Sequence, residues 1–426
     1  MNLKINKTQC LNGIAVIPAS KSHTIRAVVI ASLAAGNSRI INPLDSLDTM
    51  AAVNACRNLG ANIHTEKNCW TVTGFGKHPR NPEKILDLQN SGTSFNLICG
   101  VSCLGNFEVI LDGDNSLRSR PVEPLLAALR NLGASALSIN NNGKPPVKIK
   151  GPFSGGKTSV SGINSQFVSS LLISTPLAPE DTEIAVNNLC EEPYVRMTLR
   201  WLDEQKIRYN KTEDLTHFYV FGNQQYHPFE KVIPGDWSSA TFPLVAGTIT
   251  YSKISIKGLD INDTQGDKKV VEYLKKFGAC ISVEKEQILV KNGLLKGIEI
   301  DLNSTPDALP AFAVLGCAAE GTTKLYNVPQ ARIKETDRIK VMAQELTKMG
   351  ANIQEIEDGL IIHKSTLKGT VVNGHKDHRV VMALALAGLI ADGETIITDA
   401  ECVSITFPEF FSMMKNLGAN VETENK

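Results

Sequence analysis

The chain reads as an α/β protein of two domains, built from six copies of one unit of about 70 residues. Three observations predict this. Six short polar clusters each open an apolar run, at near-regular spacing along 426 residues. A Gly-Ala stop recurs between them. Strand-like runs of aliphatic and β-branched residues follow the stops.

The first unit opens at Ser20-Lys21-Ser22, ahead of Val28-Val29-Ile30-Ala31, and its second helix stops at Leu59-Gly60-Ala61. The second opens at Asn90-Ser91-Gly92-Thr93 and stops at Leu132-Gly133-Ala134. The third opens at Asn164-Ser165-Gln166, and its stop falls near Lys206-Ile207, where the pattern has drifted. Asp236-Trp237-Ser238-Ser239 and Phe277-Gly278-Ala279 bound the fourth. Ser304-Thr305-Pro306-Asp307 and Met349-Gly350-Ala351 bound the fifth. Asp377-His378-Arg379, Val380-Val381-Met382-Ala383-Leu384 and Leu417-Gly418-Ala419 make the sixth. Ser, Thr, Asn and Asp accept from the unpaired N–H groups of a first helical turn, and Pro306 suits that turn because it has no N–H to leave unpaired. Gly takes the left-handed conformation that ends a helix. A β-hairpin is expected after each stop, as in Gln287-Ile288-Leu289-Val290 followed by Gly297-Ile298-Glu299-Ile300.

The sixth unit ends soon after Gly418, with no strands to close it. Leu11-Asn12-Gly13-Ile14-Ala15-Val16 resembles Leu295-Lys296-Gly297-Ile298-Glu299-Ile300 and Leu367-Lys368-Gly369-Thr370-Val371-Val372, so the N-terminal strands are expected to complete it. The chain then begins in one domain, crosses to another and returns. Three units per domain place the crossings near residues 18–20 and at Pro234-Gly235-Asp236, giving domains 1–19 with 235–426 and 20–234. A single continuous domain fits this length poorly.

Lys plus Arg and Asp plus Glu each number 44, so the chain lacks the basic excess of a general nucleic-acid binder. The longest apolar stretch, residues 380–391, is too short to span a bilayer, and the first residues contain no signal-peptide core. Nine cysteines are scattered without a C-x-x-C pair, which fits reduced thiols in the cytoplasm, mostly as small core residues. The expectation is a cytoplasmic monomer with small-molecule substrates, and neither a nucleic-acid nor a membrane partner.

A helix N-terminus offers free N–H groups and the positive end of the helix dipole. Several gathered together favour a ligand with several negative charges. Lys21 lies at the first such terminus and Arg26 one turn in. Lys334-Glu335-Thr336-Asp337-Arg338 is the densest charged stretch; Lys334 and Arg338 are spaced to share one helical face, with Glu335 on another. Arg120 precedes Pro121, which restricts its backbone, and its guanidinium suits a carboxylate or phosphate. Gly92 lets a ligand approach the backbone at a helix start, but Asn-Ser-Gly-Thr is neither a Walker nor a dinucleotide motif. His375 and His378 lack a third ligand, so no metal is expected. Taken singly, each basic group also fits an ordinary solvated surface.

As an ordered set over essentially the whole chain, these motifs resemble the 5-enolpyruvylshikimate-3-phosphate synthase family, the 3-phosphoshikimate 1-carboxyvinyltransferases. The set comprises Pro18-Ala19-Ser20-Lys21-Ser22 with Arg26, Asn90-Ser91-Gly92-Thr93, Arg120-Pro121, Ser165-Gln166-Phe167 and Pro193-Tyr194. It continues with Gly235-Asp236, Ser238-Ser239, Pro306-Asp307, Lys334-Glu335-x-Asp337-Arg338, Asp377-His378-Arg379 and Phe407-Pro408. The resemblance implies the enolpyruvyl transferase fold: a two-domain inside-out α/β barrel of six βαβαββ repeats, three per domain, with the active site in the cleft between domains. It implies transfer of the enolpyruvyl group of phosphoenolpyruvate to the 5-hydroxyl of shikimate-3-phosphate, with release of phosphate and no cofactor or metal.

By the same resemblance, Lys21, Gly92, Arg120, Gln166, Arg338 and Arg379 bind phosphoenolpyruvate. Lys21, Ser22, Arg26, Asn164, Ser165, Gln166, Tyr194, Asp307, Gln330 and Lys334 surround shikimate-3-phosphate. Addition needs a base at the hydroxyl and an acid at the methylene carbon. Asp307 is the candidate base, with Glu335 and Lys21 the acid–base candidates at the carbon and the leaving phosphate.

The chain departs from the family pattern at several positions. Asn96 stands where many members have Arg, Asn164 and Glu191 where Ser is frequent, and Ala19 where Gly is common. Ile405 stands where many have a Lys that contacts phosphoenolpyruvate; losing one charge-assisted hydrogen bond removes on the order of 1.5–3 kcal/mol. Glu191 and Asn164 leave room for a paralogue acting on another hydroxylated anion. A non-catalytic anion-binding protein would be expected to lack Asp307 or Glu335, and both are present. The UDP-N-acetylglucosamine enolpyruvyl transferases are similar in fold but would show Lys-Asn at the first helix and a loop Cys; here stand Lys21-Ser22, and residues 112–120 contain no Cys. The family's glycine at position 92 also implies inhibition by glyphosate, competitive with phosphoenolpyruvate and weakened by Gly92→Ala.

Overall fold

A computed structural model describes residues 1–424. Its helices are α1 (Lys21–Leu33), α2 (Leu47–Asn58), α3 (Gly92–Ser102), α4 (Glu123–Asn131), α5 (Ser165–Ser174), α6 (Glu192–Glu204), α7 (Trp237–Ile249), α8 (Val270–Phe277), α9 (Leu309–Ala318), α10 (Arg338–Lys348), α11 (His378–Ile390) and α12 (Phe410–Asn416). They fall into two kinds. The odd-numbered helices are apolar on nearly every face and buried along almost their whole length. The even-numbered ones bury one side only. A helix apolar all round has no face for water and must be enclosed.

The polar clusters cap the buried helices. Ser20, Ser91, Asn164, Asp236 and Asp377 each accept a first-turn N–H through the side chain, worth about 1 kcal/mol apiece. The fifth cluster differs. Pro306–Ala308 forms a single 3-10 turn ahead of α9, and the Thr305 side chain makes no capping bond. The stops hold: Gly60, Gly133, Gly278, Gly350 and Gly418 all have φ between 89° and 112°. Where the pattern drifted, Lys206 itself is left-handed, at φ 58°.

Each repeat builds one open four-stranded sheet. Its first strand runs parallel to the strand after the buried helix, and an antiparallel hairpin follows the amphipathic helix. In the fifth repeat, for instance, Glu299–Asp301 lies parallel to Thr322–Tyr326, which pairs with Gly359–His363 and through it Asn352–Ile356. No sheet closes into a barrel among the described residues.

Two expectations about strands need correction. Gln287–Lys291 forms its hairpin with Cys280–Val283, the strand before it, while Glu299–Asp301 opens the next sheet. A tight turn joins only antiparallel neighbours, whereas Glu299–Asp301 needs α9 as its crossover to a parallel partner. Likewise Asn12–Val16 does not close the sixth repeat: it runs parallel to Lys253–Lys257 as first strand of the fourth sheet. That is the role of Glu299–Asp301 and Val371–Asn373 in theirs, and it accounts for the sequence likeness. Asn2–Asn6 is the strand that completes the sixth sheet, between Thr395–Thr398 and Asn420–Glu424.

The chain divides into two compact units, Met1–Pro18 with Gly235–Lys426, and Ala19–Pro234. Each has its own apolar core. In the second unit Glu230–Val232 returns to serve as first strand beside Ala35–Ile41. No helix is long and apolar enough to cross a membrane among the described residues. The nine cysteines are not in disulfides. Burial pushes the Cys56 and Cys317 thiols up to about 12.

Candidate active site

In the Ala19–Pro234 unit, the starts of α1, α3 and α5 are tied together by polar side chains. Lys21 Nζ meets Asp48 Oδ2 at 3.0 Å, and Asp48 is almost fully buried on the first turn of α2. The Asp48 carbonyl accepts from Ser94 Oγ on α3 at 3.0 Å. Gln166 on α5 donates to Thr93 Oγ1 at 3.0 Å and accepts from Asn96 Nδ2 at 2.8 Å. Arg120 Nη2 donates to Asn90 Oδ1 at 2.8 Å and to Ser116 Oγ at 3.1 Å. Its Nη1 lies 2.8 Å from where a Cβ on Gly92 would sit. Gly92 thus leaves room for the close approach of Arg120. Neighbouring Arg118 pairs with Asp112 through two bonds, so the two arginines of the loop have different tasks.

Arg26 is not at the surface of this unit. It is 1% exposed and donates to Thr198 Oγ1, Ser169 Oγ, the Ser22 carbonyl and the Tyr194 carbonyl. Burial brings its pKa down to about 10. It joins α1, α5 and α6, and through Ser22 and Tyr194 it fixes two residues expected to surround the acceptor. Ser165 is buried and donates to Glu191 Oε2 at 2.8 Å. Glu191 is itself buried, with a left-handed backbone at φ 55° as N-cap of α6. Arg196, on the exposed side of α6, pairs with Glu192. Asn164 caps α5 through Oδ1 at 3.0 Å.

In the other unit the charged residues form a tighter knot. Arg338 is 1% exposed and sits among three carboxylates. Nε and Nη2 grip Asp377 at 2.8 and 3.2 Å, Nη1 reaches Asp307 at 2.7 Å, and Nη2 reaches Glu335 at 2.7 Å. Arg379 Nη2 meets the other Asp307 oxygen at 2.9 Å. Its buried Nη1 makes no hydrogen bond among the described residues. Burial works to raise the Asp307 pKa, but Arg379, Arg338 and Lys334 outweigh it and hold the carboxyl well below the usual range. Burial likewise disfavours charge on Arg338, but Asp377, Glu335 and Asp307 overcome it and raise its pKa. Gln330 is buried and donates to the Asn303 carbonyl at 3.0 Å.

Lys334 and Arg338 do not share a helical face. Lys334 follows the Pro329–Ile333 turn with a non-helical backbone (φ −85°, ψ −149°), and α10 begins only at Arg338. The reason is Asp337, whose side chain caps α10 by accepting from the Lys340 N–H at 3.0 Å. Ile405 is buried in the apolar core of its unit. Sequence reasoning passed over Asp48 as partner of Lys21, and Asp377 as partner of Arg338. Asp377 was legible as a helix cap; the pairing was not. No group of three or more His, Cys, Asp or Glu side chains suited to a metal occurs among the described residues.

The EPSP synthase (3-phosphoshikimate 1-carboxyvinyltransferase) family model matches residues 5–424. The chain is 50% identical to the 3-phosphoshikimate 1-carboxyvinyltransferase of Acetivibrio thermocellus, over 99% of this chain and 100% of that protein. It is 44% identical to the protein of that name from Methanocaldococcus jannaschii, over 99% of each. Its structure is similar to EPSP synthase from Acinetobacter baumannii, with a TM-score of 0.85, 27% identity and full coverage of both chains.

Proposed function

This chain belongs to the EPSP synthase family, and from that premise we propose that it transfers the enolpyruvyl group of phosphoenolpyruvate to the 5-hydroxyl of shikimate-3-phosphate and releases phosphate. The observation that carries the reading is the Asp307–Arg338–Arg379 knot, which puts a carboxylate against two buried guanidinium groups. Two anionic substrates must be held together, and cations fixed in a buried setting offset their repulsion without reorganising. Arg379 and Arg338 serve the phosphate or carboxylate of phosphoenolpyruvate, as do Lys21, Arg120, Gln166 and the Gly92 backbone. Ser22, Arg26, Asn164, Ser165, Tyr194, Gln330 and Lys334 serve the acceptor, with Arg26 acting through Ser22 and Tyr194.

In the structure the Asp307 carboxylate is paired with both arginines, which hold its pKa below the usual carboxylate range and weaken it as a base. A substrate anion that takes over Arg338 and Arg379 relieves that pairing and raises the Asp307 pKa, coupling phosphoenolpyruvate binding to activation of the base. Asp307 then accepts the 5-hydroxyl proton as the oxygen adds to C2. Glu335, held by Arg338, and Lys21 supply the proton at C3 and assist the departing phosphate. Elimination from the tetrahedral intermediate completes the reaction. The same reading makes the protein a cytoplasmic monomer that needs neither metal nor organic cofactor.

One observation favours a different acceptor: buried Glu191 takes the Ser165 hydroxyl that would otherwise face a phosphate. The test is phosphate release from phosphoenolpyruvate with and without shikimate-3-phosphate. Release that needs both substrates supports the reading. Phosphoenolpyruvate binding without release moves the proposal to another hydroxylated anion, with Glu191→Ser the first variant to examine.

A further inference from the structure

Glu345 is a 1% exposed carboxylate outside the groups assigned to substrate. It lies on α10 two turns beyond Arg338, so the two share one face of that helix. Glu345 Oε1 accepts from His375 Nε2 at 2.7 Å, and Oε2 accepts from the Asn373 N–H at 3.0 Å. Lys348, half exposed, reaches both oxygens at 2.8 Å from the solvent side. Asn373 Oδ1 in turn accepts the His375 N–H at 2.5 Å.

The loop closed by these bonds contains two consecutive left-handed residues that are not glycine, His375 at φ 51° and Lys376 at φ 56°. Such a conformation persists only where its surroundings hold it. Gly374 packs closely in the same loop: an added Cβ would come within 2.3 Å of Val381 Cγ2 and 2.7 Å of the Thr398 carbonyl oxygen. Asp377, directly after Lys376, caps α11 and grips Arg338; two further on is Arg379. Helix α10 therefore holds this loop at two places, through Arg338 on Asp377 and through Glu345 on Asn373 and His375. A helix whose only task was packing would be served as well by an apolar residue at position 345.

We propose that Glu345 and His375 are positioning residues: together they hold the 373–377 loop so that Asp377 and Arg379 enter α11 in the geometry an anionic substrate requires. The geometric part stands on this unit alone, and the effect on turnover rests on the transferase reading. The experiment compares wild type with Glu345→Ala, His375→Ala, the conservative His375→Gln, and Leu346→Ala as a buried control on the same helix. Two readouts are taken: amide hydrogen exchange across 373–379, and kcat with KM for phosphoenolpyruvate at saturating shikimate-3-phosphate.

Glu345→Ala and His375→Ala are expected to speed exchange in 373–379 selectively and to raise KM about tenfold, with kcat within about threefold. His375→Gln retains most of the wild-type behaviour. Leu346→Ala, though less stable, changes neither loop exchange nor KM. Unchanged exchange at 373–379, or the same KM rise in Leu346→Ala, overturns the proposal. Should Glu345→Ala fail to fold, the partly exposed His375 pair decides it. A wild-type protein without turnover would sink the transferase reading, and the exchange measurement would still judge the positioning role.

Discussion

The two units place polar residues at the starts of buried helices in the same way, yet they orient their arginines differently. In the Ala19–Pro234 unit, Arg120 is oriented by the neutral oxygens of Asn90 and Ser116, and Gln166 by Thr93 and Asn96. In the other unit, Arg338 and Arg379 are held by carboxylates, with Asp307 shared between them. Neutral oxygens orient a guanidinium without cancelling its charge. Carboxylates do both. In the second arrangement a carboxylate already sits against the guanidinium groups, and a ligand must replace it. The same repeat can therefore orient a guanidinium through neutral oxygens in one unit and through shared carboxylates in the other.

The largest effect should come from Asp307. Asp307→Asn is expected to lower phosphate release about a thousandfold, in the range of a lost general base. Arg338→Ala should act on stability as well as on substrate binding: it strands Asp377, which is fully buried, and such a loss is about 3–5 kcal/mol. Arg120→Ala removes bonds to the neutral oxygens of Asn90 and Ser116 and should lower the thermal midpoint less than Arg338→Ala. Its KM for phosphoenolpyruvate should rise roughly 10- to 100-fold, the loss of one or two charge-assisted hydrogen bonds. Equal destabilisation by the two arginine substitutions would erase the contrast between the units.

Gly92→Ala is a smaller perturbation. Its methyl group would meet the Arg120 guanidinium at 2.8 Å, and the flexible side chain can move away. A KM rise of roughly tenfold is expected, with weaker glyphosate inhibition; an inhibition constant and KM both unaltered would count against it. The smallest effect is on pH dependence. The Asp307 pKa is depressed in the folded state, so its stabilisation is present above the unfolded carboxylate pKa, about 4, and is lost as pH falls toward the folded value. Thermal melts of the wild type should weaken below that pH more steeply than those of Asp307→Asn. Parallel acid limbs would contradict this.

Much of this was legible in the chain because caps and stops are local. Ser20, Ser91, Asn164, Asp236 and Asp377 cap the helices they precede, and the Gly-Ala stops end theirs. Strand partners were less legible, because pairing is decided across a crossover. Asn12–Val16 looked like the end of a repeat and is the beginning of one. The site was legible as residue types and not as partners. Nothing in the spacing of Lys21 and Asp48, or of Arg338 and Asp377, announces a bond between them. Nor did the charged run reveal that Asp337 interrupts it to cap α10.

The most direct measurement pairs two readings on one sample: phosphoenolpyruvate binding by calorimetry and phosphate release, for wild type and Asp307→Asn, with shikimate-3-phosphate present. If Asp307 is both the base and the resident partner of Arg338 and Arg379, the variant binds phosphoenolpyruvate more tightly than the wild type and releases almost no phosphate. Weaker binding with release largely retained would contradict both roles.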